Sequence, residues 1–365
     1  MAGLNPRDYH FRNETEWLGT NAGIRIGKYG RLHTDPFLTA SQAASLNRSG
    51  FTLEMVVSPS AVTKRSFGEL ITVHDGNDQT QFLIGQWRNS LIVMNGNDYS
   101  ARRREPRLNA DLPQSTNRHL PMHLLLATSP EGSRLYINGQ RTVTRKGLGF
   151  TLPVGERSGR LTLGNSVRAD SSWPGIIYSV ALFPDAFTGE LAQQHFVYWS
   201  KQANSNQAAA APPLLFYRFE ERRGQTVSNF GTAPVTLQIP DILESLERRL
   251  VTSMPVLRKW NQALVLDMSL NLFGFMPMGF VFMMLWYHSG RSWLPWLVLA
   301  TVASAAVSFS IEGIQTWMPS RDSSLLDLIL NTSGGFGGAL CFVVYCHLRL
   351  KGFSDGKLAS PGGIQ

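Results

Sequence analysis

Cysteine is almost missing from this chain. Only Cys341 and Cys346 occur, both inside its last apolar stretch. The residues before them therefore form no internal disulfide, and no cysteine-based zinc pattern can be assembled. The opening residues, MAGLNPRDYHFRNETEWLG, lack the basic start and apolar core of a secretory leader. His-Glu-x-x-His is absent, and no nucleophile motif and no Gly-x-Ser-x-Gly are expected, so no catalytic residue follows from motifs. His33, His74, His119, His123 and His195 are scattered and read as surface or strand residues rather than metal ligands. No interleaving of basic and aromatic residues points to nucleic acid.

What is present is unevenly spread. The 34 basic and 26 acidic residues give a formal charge of +8. Up to residue 240 there are 25 basic and 18 acidic residues, and beyond it 9 and 8, so the basic excess belongs to the first part. Its densest run is Arg102, Arg103, Arg104 and Arg107. That run reads as a solvated loop or as a contact for an anionic glycan, lipid headgroup or phosphate.

Residues 15–200 read as all-β, with short apolar runs separated by turn signals. In FTLEMVVSP (51–59), Phe51, Leu53, Met55 and Val57 alternate onto one face, and Asn138-Gly139 marks a tight hairpin. The pattern predicts a β-sandwich or jelly roll over 1–205. An alanine-rich, proline-stopped linker follows (206–213), and strand character returns over 214–240. Residues 241–261 begin with Ile242, Leu243, Leu246, Leu250 and Met254 near helical spacing, which predicts a juxtamembrane amphipathic helix, lying on the membrane surface or packed on the sandwich. Asp75, Asn77 and Asp78 are weak candidates for calcium, with turn chemistry as the alternative; no other metal or cofactor is expected.

Three apolar stretches end the chain, at about 262–288, 293–317 and 325–350, before a polar tail over 351–365. Each is long enough, at ~1.5 Å per residue, to cross a ~30 Å hydrocarbon core. Their polar residues come in pairs on one helix face: Asp267 with Asn271, Glu312 with Gln315, and Asp327 with Asn331. Threading the chain up, down and up gathers all six in one leaflet, with Arg321 and Asp322 on the loop of that side. This predicts a shallow intramembrane polar site, the alternative being interhelical glue. Pro277 predicts a kink after Phe275, and Gly279, Gly334 and Gly338 predict close helix packing.

The same residues resemble the VanZ-like family: Asp267 and Asn271 before Phe275, Pro277 and Gly279; then Glu312 and Gln315; then Arg321, Asp327, Asn331, Gly334 and Gly338. The resemblance implies a multi-pass bacterial membrane protein with a shared polar site. It also implies a link to envelope stress or to low-level resistance to teicoplanin-type glycopeptides, without a known reaction. The segments NAGIRIGKYG, FTLEMVVSP, RLYINGQRTV, LTLGNS and WPGIIYSVALFPDAFTGELAQQH resemble a laminin G-like, concanavalin A-type lectin module. That module often begins with a strand like LFYRFEERRGQTVSNFG, which here comes last, so residues 214–240 are expected to complete the sandwich as in a circular permutation, the alternative being a stalk. No Glu-x-Asp-x-x-Glu of the glucanase kind occurs, and Glu54 stands alone in its strand.

The family commonly has one more helix ahead of the Asp-Asn helix. An apolar helix upstream of Met1 is the expectation that supplies it and exports the sandwich. Arg291, Arg349, Lys351 and Lys357 favour the C-terminus inside the cytoplasmic membrane and the sandwich outside, though Arg258, Lys259 and Arg321 nearly balance them. Three functional readings follow. One is a non-enzymatic receptor whose sandwich binds glycan or protein and whose helices hold a lipid-linked partner in the bilayer. Another is a membrane enzyme using Asp267, Glu312 and Asp327 on a lipid headgroup; the third is a structural anchor.

Overall fold

The computed structural model describes residues 12–19, 21–60, 67–76, 81–96, 106–113, 120–155, 159–201, 212–244, 246, 250, 262–288, 292–316 and 323–357. They fall into two compact units, one within residues 9–247 and the other from residue 248 onward.

The first unit begins with β1 (Thr15–Trp17), β2 (Ile24–Ile26), β3 (Leu32–Thr34) and the helix α1 (Ala40–Ser49). Then come β4 (Phe51–Pro59), β5 (Phe67–His74), β6 (Phe82–Trp87), β7 (Ser90–Asn95), β8 (Arg107–Asp111), β9 (Met122–Ser129), β10 (Gly132–Ile137) and β11 (Gln140–Lys146). β12 (Arg160–Leu163), β13 (Gly175–Phe183), α2 (Gly189–Ser200), β14 (Leu215–Tyr217), β15 (Thr226–Val227) and β16 (Leu237–Gln238) complete it. They form two antiparallel eight-stranded sheets. One runs β1-β2-β13-β4-β9-β10-β11, with β14 added to β13, and the other runs β15-β16-β3-β12-β5-β6-β7-β8. This is the sandwich that the short alternating runs predict.

Alternation explains the layers. On β4, Phe51, Leu53, Met55 and Val57 enter the core between the sheets. On β9, Leu124 and Leu126 do the same, while Leu125 and Ala127 face outward into a second cluster with Tyr136, Phe183 and Ala192 beneath α2. A sheet covered on both faces needs continuous apolar runs, which is why HLLLA and SVALF lack clean alternation. Each such side chain contributes about 1.5–3 kcal/mol on burial. The Asn138-Gly139 turn has φ of 50° and 74°, as a two-residue hairpin between β10 and β11 requires.

The late segment is built into both sheets. β13 pairs with β2 through Gly175–Ile177 and with β14 through Val180–Leu182, while β16 pairs with β3. Leu215, Tyr217, Phe219, Val227 and Leu237 all lie in the main core.

The amphipathic helix expected at 241–261 is not formed where the chain is described. Residues 241–244 run as an extended strap: Ile242 bridges to Arg12, Asn13 N donates to Asp241 O at 2.9 Å, and Leu246 N donates to Val167 O at 2.9 Å. Leu243 is buried, and the buried Arg31 guanidinium donates to the carbonyls of Val167 and Glu244. Of the apolar residues that such a helix would have used, Leu243 is buried in the sandwich, whereas Ile242 and Leu250 are exposed. Residues 245, 247–249 and 251–261, and most of the linker, lie outside the described residues.

The second unit holds α3 (Gln262–Trp286), α4 (Leu294–Gln315) and α5 (Leu325–Lys357). Within them Val265–Trp286, Leu294–Gln315 and Leu325–Leu348 are long and apolar enough to cross a membrane. α3 runs helical through Pro277. α5 continues to Lys357, so part of the expected tail is helix: backbone bonds internal to the helix outlast the apolar run.

Candidate functional site

Helix association inside a bilayer has little hydrophobic drive, so close packing and polar contacts hold helices together. A Cβ on Gly334 would strike the Leu272 carbonyl, one on Gly338 the Met276 carbonyl, and one on Gly279 the Gly335 backbone. α3 and α5 therefore run side by side in the same direction with their backbones touching. On α4 the buried residues are Leu297, Ala300, Ser304, Ser308 and Glu312, a stripe at almost strict four-residue spacing. Ser304 meets Gly335 of α5.

Along this stripe the polar residues have specific partners. The Glu312 carboxylate is 1% exposed and accepts the Ser324 N–H at 2.7 Å and a hydrogen bond from Ser323. Ser324 caps α5, accepting the Asp327 N–H at 3.4 Å, and Asp327 lies in the first helical turn, where the helix dipole favours a carboxylate. Asn331 is buried and its Nδ2 donates to Ser308 Oγ at 3.0 Å. Its Oδ1, and the buried Nδ2 of Asn271, have no partner.

The predicted residues thus separate by role. Glu312 and Asn331 join α4 to α5, Asn271 and Gln315 are half-buried, and Asp267 is exposed. Arg321 and Asp322 lie outside the described residues. Sequence reasoning missed Ser304, Ser308 and Ser324. The signal was available as the four-residue spacing of small residues leading to Glu312, and as Ser-x-x-Asp ahead of an apolar run. The tail reads Gly-Phe-Ser-Asp-Gly over residues 352–356, a Gly-x-Ser-x-Gly spacing that corrects the expectation of none. That segment lies within α5 and not at a strand-to-helix turn, so it forms no nucleophile elbow.

The sandwich carries a second polar cluster. Glu54 of β4 lies on the outer face of its sheet. Its Oε1 accepts from His123 Nε2 of β9 at 2.7 Å and its Oε2 from His195 Nδ1 of α2 at 2.8 Å. All three are buried; His123 is a strand residue, as the sequence allowed, whereas His195 lies on α2 and is neither a surface nor a strand residue. His123 stacks on Trp199 at 5.8 Å between ring centroids, and His195 stands edge-on to Phe183. Burial pushes the Glu54 carboxyl up, but the two imidazole donors win and hold it down at about 2. With both oxygens occupied, the group fastens α2 to the sheet.

His74 is likewise buried. Its Nδ1 accepts the Gly76 N–H at 3.0 Å and its Nε2 pairs with Thr162 Oγ1 at 2.9 Å. Desolvation, then nearby Arg160 and Arg31, lowers its pKa to about 3; His33 is lowered to about 4 by burial and then Arg31. Of the calcium candidates, Asp75 is half-buried beside β5, and Asn77 and Asp78 lie outside the described residues. Among the described residues no three His, Cys, Asp or Glu side chains are grouped to hold a metal.

The sequence model of the VanZ/LLP1 family matches residues 175–346. That of the concanavalin A-like lectin/glucanases superfamily matches residues 32–191. No curated protein matches the chain. Among solved structures, the binding domain of botulinum neurotoxin DC in complex with rat synaptotagmin II is 12% identical, with a TM-score of 0.39, over 57% of this chain and 48% of its own. A putative carbohydrate binding protein from Bacteroides ovatus is 13% identical, with a TM-score of 0.41, over 64% and 59%. A SAP-like pentraxin from Limulus polyphemus is 14% identical, with a TM-score of 0.37, over 63% and 95%. The chain spans about half the length of the neurotoxin structure.

Proposed function

The chain joins a concanavalin A-like, laminin G-like lectin sandwich to a VanZ-like membrane region, and from that premise we propose a non-enzymatic envelope receptor. Its sandwich binds a glycan or glycan-bearing protein on the outer side of the bacterial cytoplasmic membrane. Its helices hold the headgroup of an amphiphilic partner.

The observation that carries this reading is the pairing, in one chain, of a lectin-superfamily sandwich with spans whose buried stripe is polar. The engagement of Glu312 by Ser323 and Ser324 supports holding over turnover, because a carboxylate committed to capping a helix is poorly placed to shuttle protons. The VanZ-like region supports a role in tolerance of teicoplanin-type glycopeptides.

The test is a glycan array probed with the full chain in lipid nanodiscs. Retention of a defined glycan class is expected, and an array without a single retained glycan would sink the receptor reading. For orientation, a single cysteine at position 322, in a chain with Cys341 and Cys346 replaced, should react with an impermeant thiol reagent added outside intact cells. Reaction only after lysis would reverse the assignment. Deleting the gene should lower the inhibitory concentration of teicoplanin, and an unchanged value would remove the resistance role.

A further inference from the structure

The bundle contains a duplicated segment. Leu266, Asp267, Leu270, Asn271 and Gly274 on α3 recur at the same spacing as Leu326, Asp327, Leu330, Asn331 and Gly334 on α5. The copies are 60 residues apart in sequence. The backbone contacts of Gly334 with Leu272 and of Gly335 with Gly279 set offsets of 62 and 56, which bracket that value. The helices run parallel, so the two copies lie at similar heights, but they pack differently: Gly334 meets Leu272 and Phe275, whereas Gly274 faces open space. Asn271 sits one turn before Phe275, and Phe275 packs on Gly334, itself one turn beyond Asn331. The two amides thus occupy one level of the α3–α5 contact.

At that level the hydrogen bonding is incomplete in a particular way. Asn331 is 4% exposed and spends its Nδ2 on Ser308, leaving Oδ1 as a buried acceptor without a donor. Asn271 leaves Nδ2 as a buried donor without an acceptor. Burying either group unpaired costs stability. A hydroxyl satisfies both, since it accepts one hydrogen bond while donating another. A phosphate oxygen only accepts and would meet the carboxylates of Asp267 and Asp327, one turn away; an ammonium only donates.

We propose that the paired Asn271 and Asn331 receive a hydroxyl of a neutral, polyhydroxylated lipid headgroup, of the glycosyl diacylglycerol class. This rests on the reading of the bundle as a headgroup receptor and names the chemistry it accepts.

The experiment uses the full chain in detergent micelles, with native mass spectrometry against an equimolar mixture of monoglucosyl diacylglycerol, phosphatidylglycerol and phosphatidylethanolamine carrying the same acyl chains. Selective retention of the glucosyl lipid is expected, with free glucose not retained. Asn271→Leu removes the unpaired donor, so it should raise the melting temperature of the bundle while cutting retention about tenfold, the scale of one lost hydrogen bond. A structural amide would show the opposite, with a lower melting temperature and unchanged retention, and that result overturns the proposal.

Preference for phosphatidylglycerol or phosphatidylethanolamine also overturns it, while leaving the headgroup-receptor reading in place. Selective retention of no lipid means that the two amides hold only water, and both readings then fall. The wild-type competition decides the case even if the variant does not fold.

Discussion

The sandwich and the helix bundle bury their interiors by opposite means. Between the sheets, large side chains fill space: Phe51, Phe82, Trp173 and Tyr217 are all buried, and water exclusion supplies the drive. Among the helices, space is removed instead. Gly334, Gly338 and Gly279 bring backbones together, and Ser304, Ser308 and Ala300 line α4. One unit is sensitive to lost volume and the other to added volume. Polar groups do not divide this way: the sandwich surrounds Glu54 with two donors yet leaves Gln81, His123 Nδ1 and His195 Nε2 unpaired, and the bundle leaves one amide atom of Asn271 and one of Asn331 unpaired.

The sharpest way to break the contrast is to reverse it. Gly338→Leu, which drives a side chain into the Met276 carbonyl, should abolish the α3–α5 packing. In hydrogen exchange followed by mass spectrometry, protection should vanish from the spans and persist in the sandwich; loss from both would dissolve the distinction. Phe82→Ala should cost the sandwich about 3–5 kcal/mol in urea unfolding and leave span protection unchanged. Glu54→Ala leaves His123 and His195 without their acceptor and should cost about 1–3 kcal/mol for each orphaned group, with Trp199 fluorescence reporting release of α2.

Acid should act on the sandwich in one direction. His33 and His74 titrate at about 4 and 3 when folded, against 6.5 in the open chain, so the unfolded state takes their protons first as pH falls below 6.5. Glu54, at about 2 when folded against 4.5, adds a loss between pH 4.5 and 2. The urea midpoint should therefore decline steadily below pH 6.5, and a flat midpoint down to pH 4 contradicts the burial of the two histidines. The smallest effect is expected at Ser308→Ala, about 0.6–1.7 kcal/mol for one interhelical hydrogen bond, read as a few degrees in the thermal unfolding of the spans.

How much of this was legible in the sequence depended on the distance over which the signal acted. Strand alternation, the Asn138-Gly139 hairpin and the apolar lengths of the spans are local, and each carries its own physics. The pairs Asp267–Asn271 and Asp327–Asn331 were visible as helix-face neighbours. Glu54, His123 and His195 were not visible as a group: 69 and 72 residues separate them in turn, and only the pairing of β4 with β9 and the return of α2 bring them together. The helix expected from residue 241 failed for a different reason. Its apolar spacing suits a helix, but the backbone bonds to Asn13 and Val167 and the Arg31 guanidinium outcompete that local preference.

The strap and the late strands also govern timing. Arg12 bridges Ile242, and β16 fills a place beside β3, both partners made near the start of the unit. Sheets assembled from such distant partners close slowly. A chain emerging from the ribosome cannot finish this sandwich until residues in the 240s are available, when the first span follows within about twenty residues. The domain thus stays unfinished until its last strands and the strap are made, shortly before the first span.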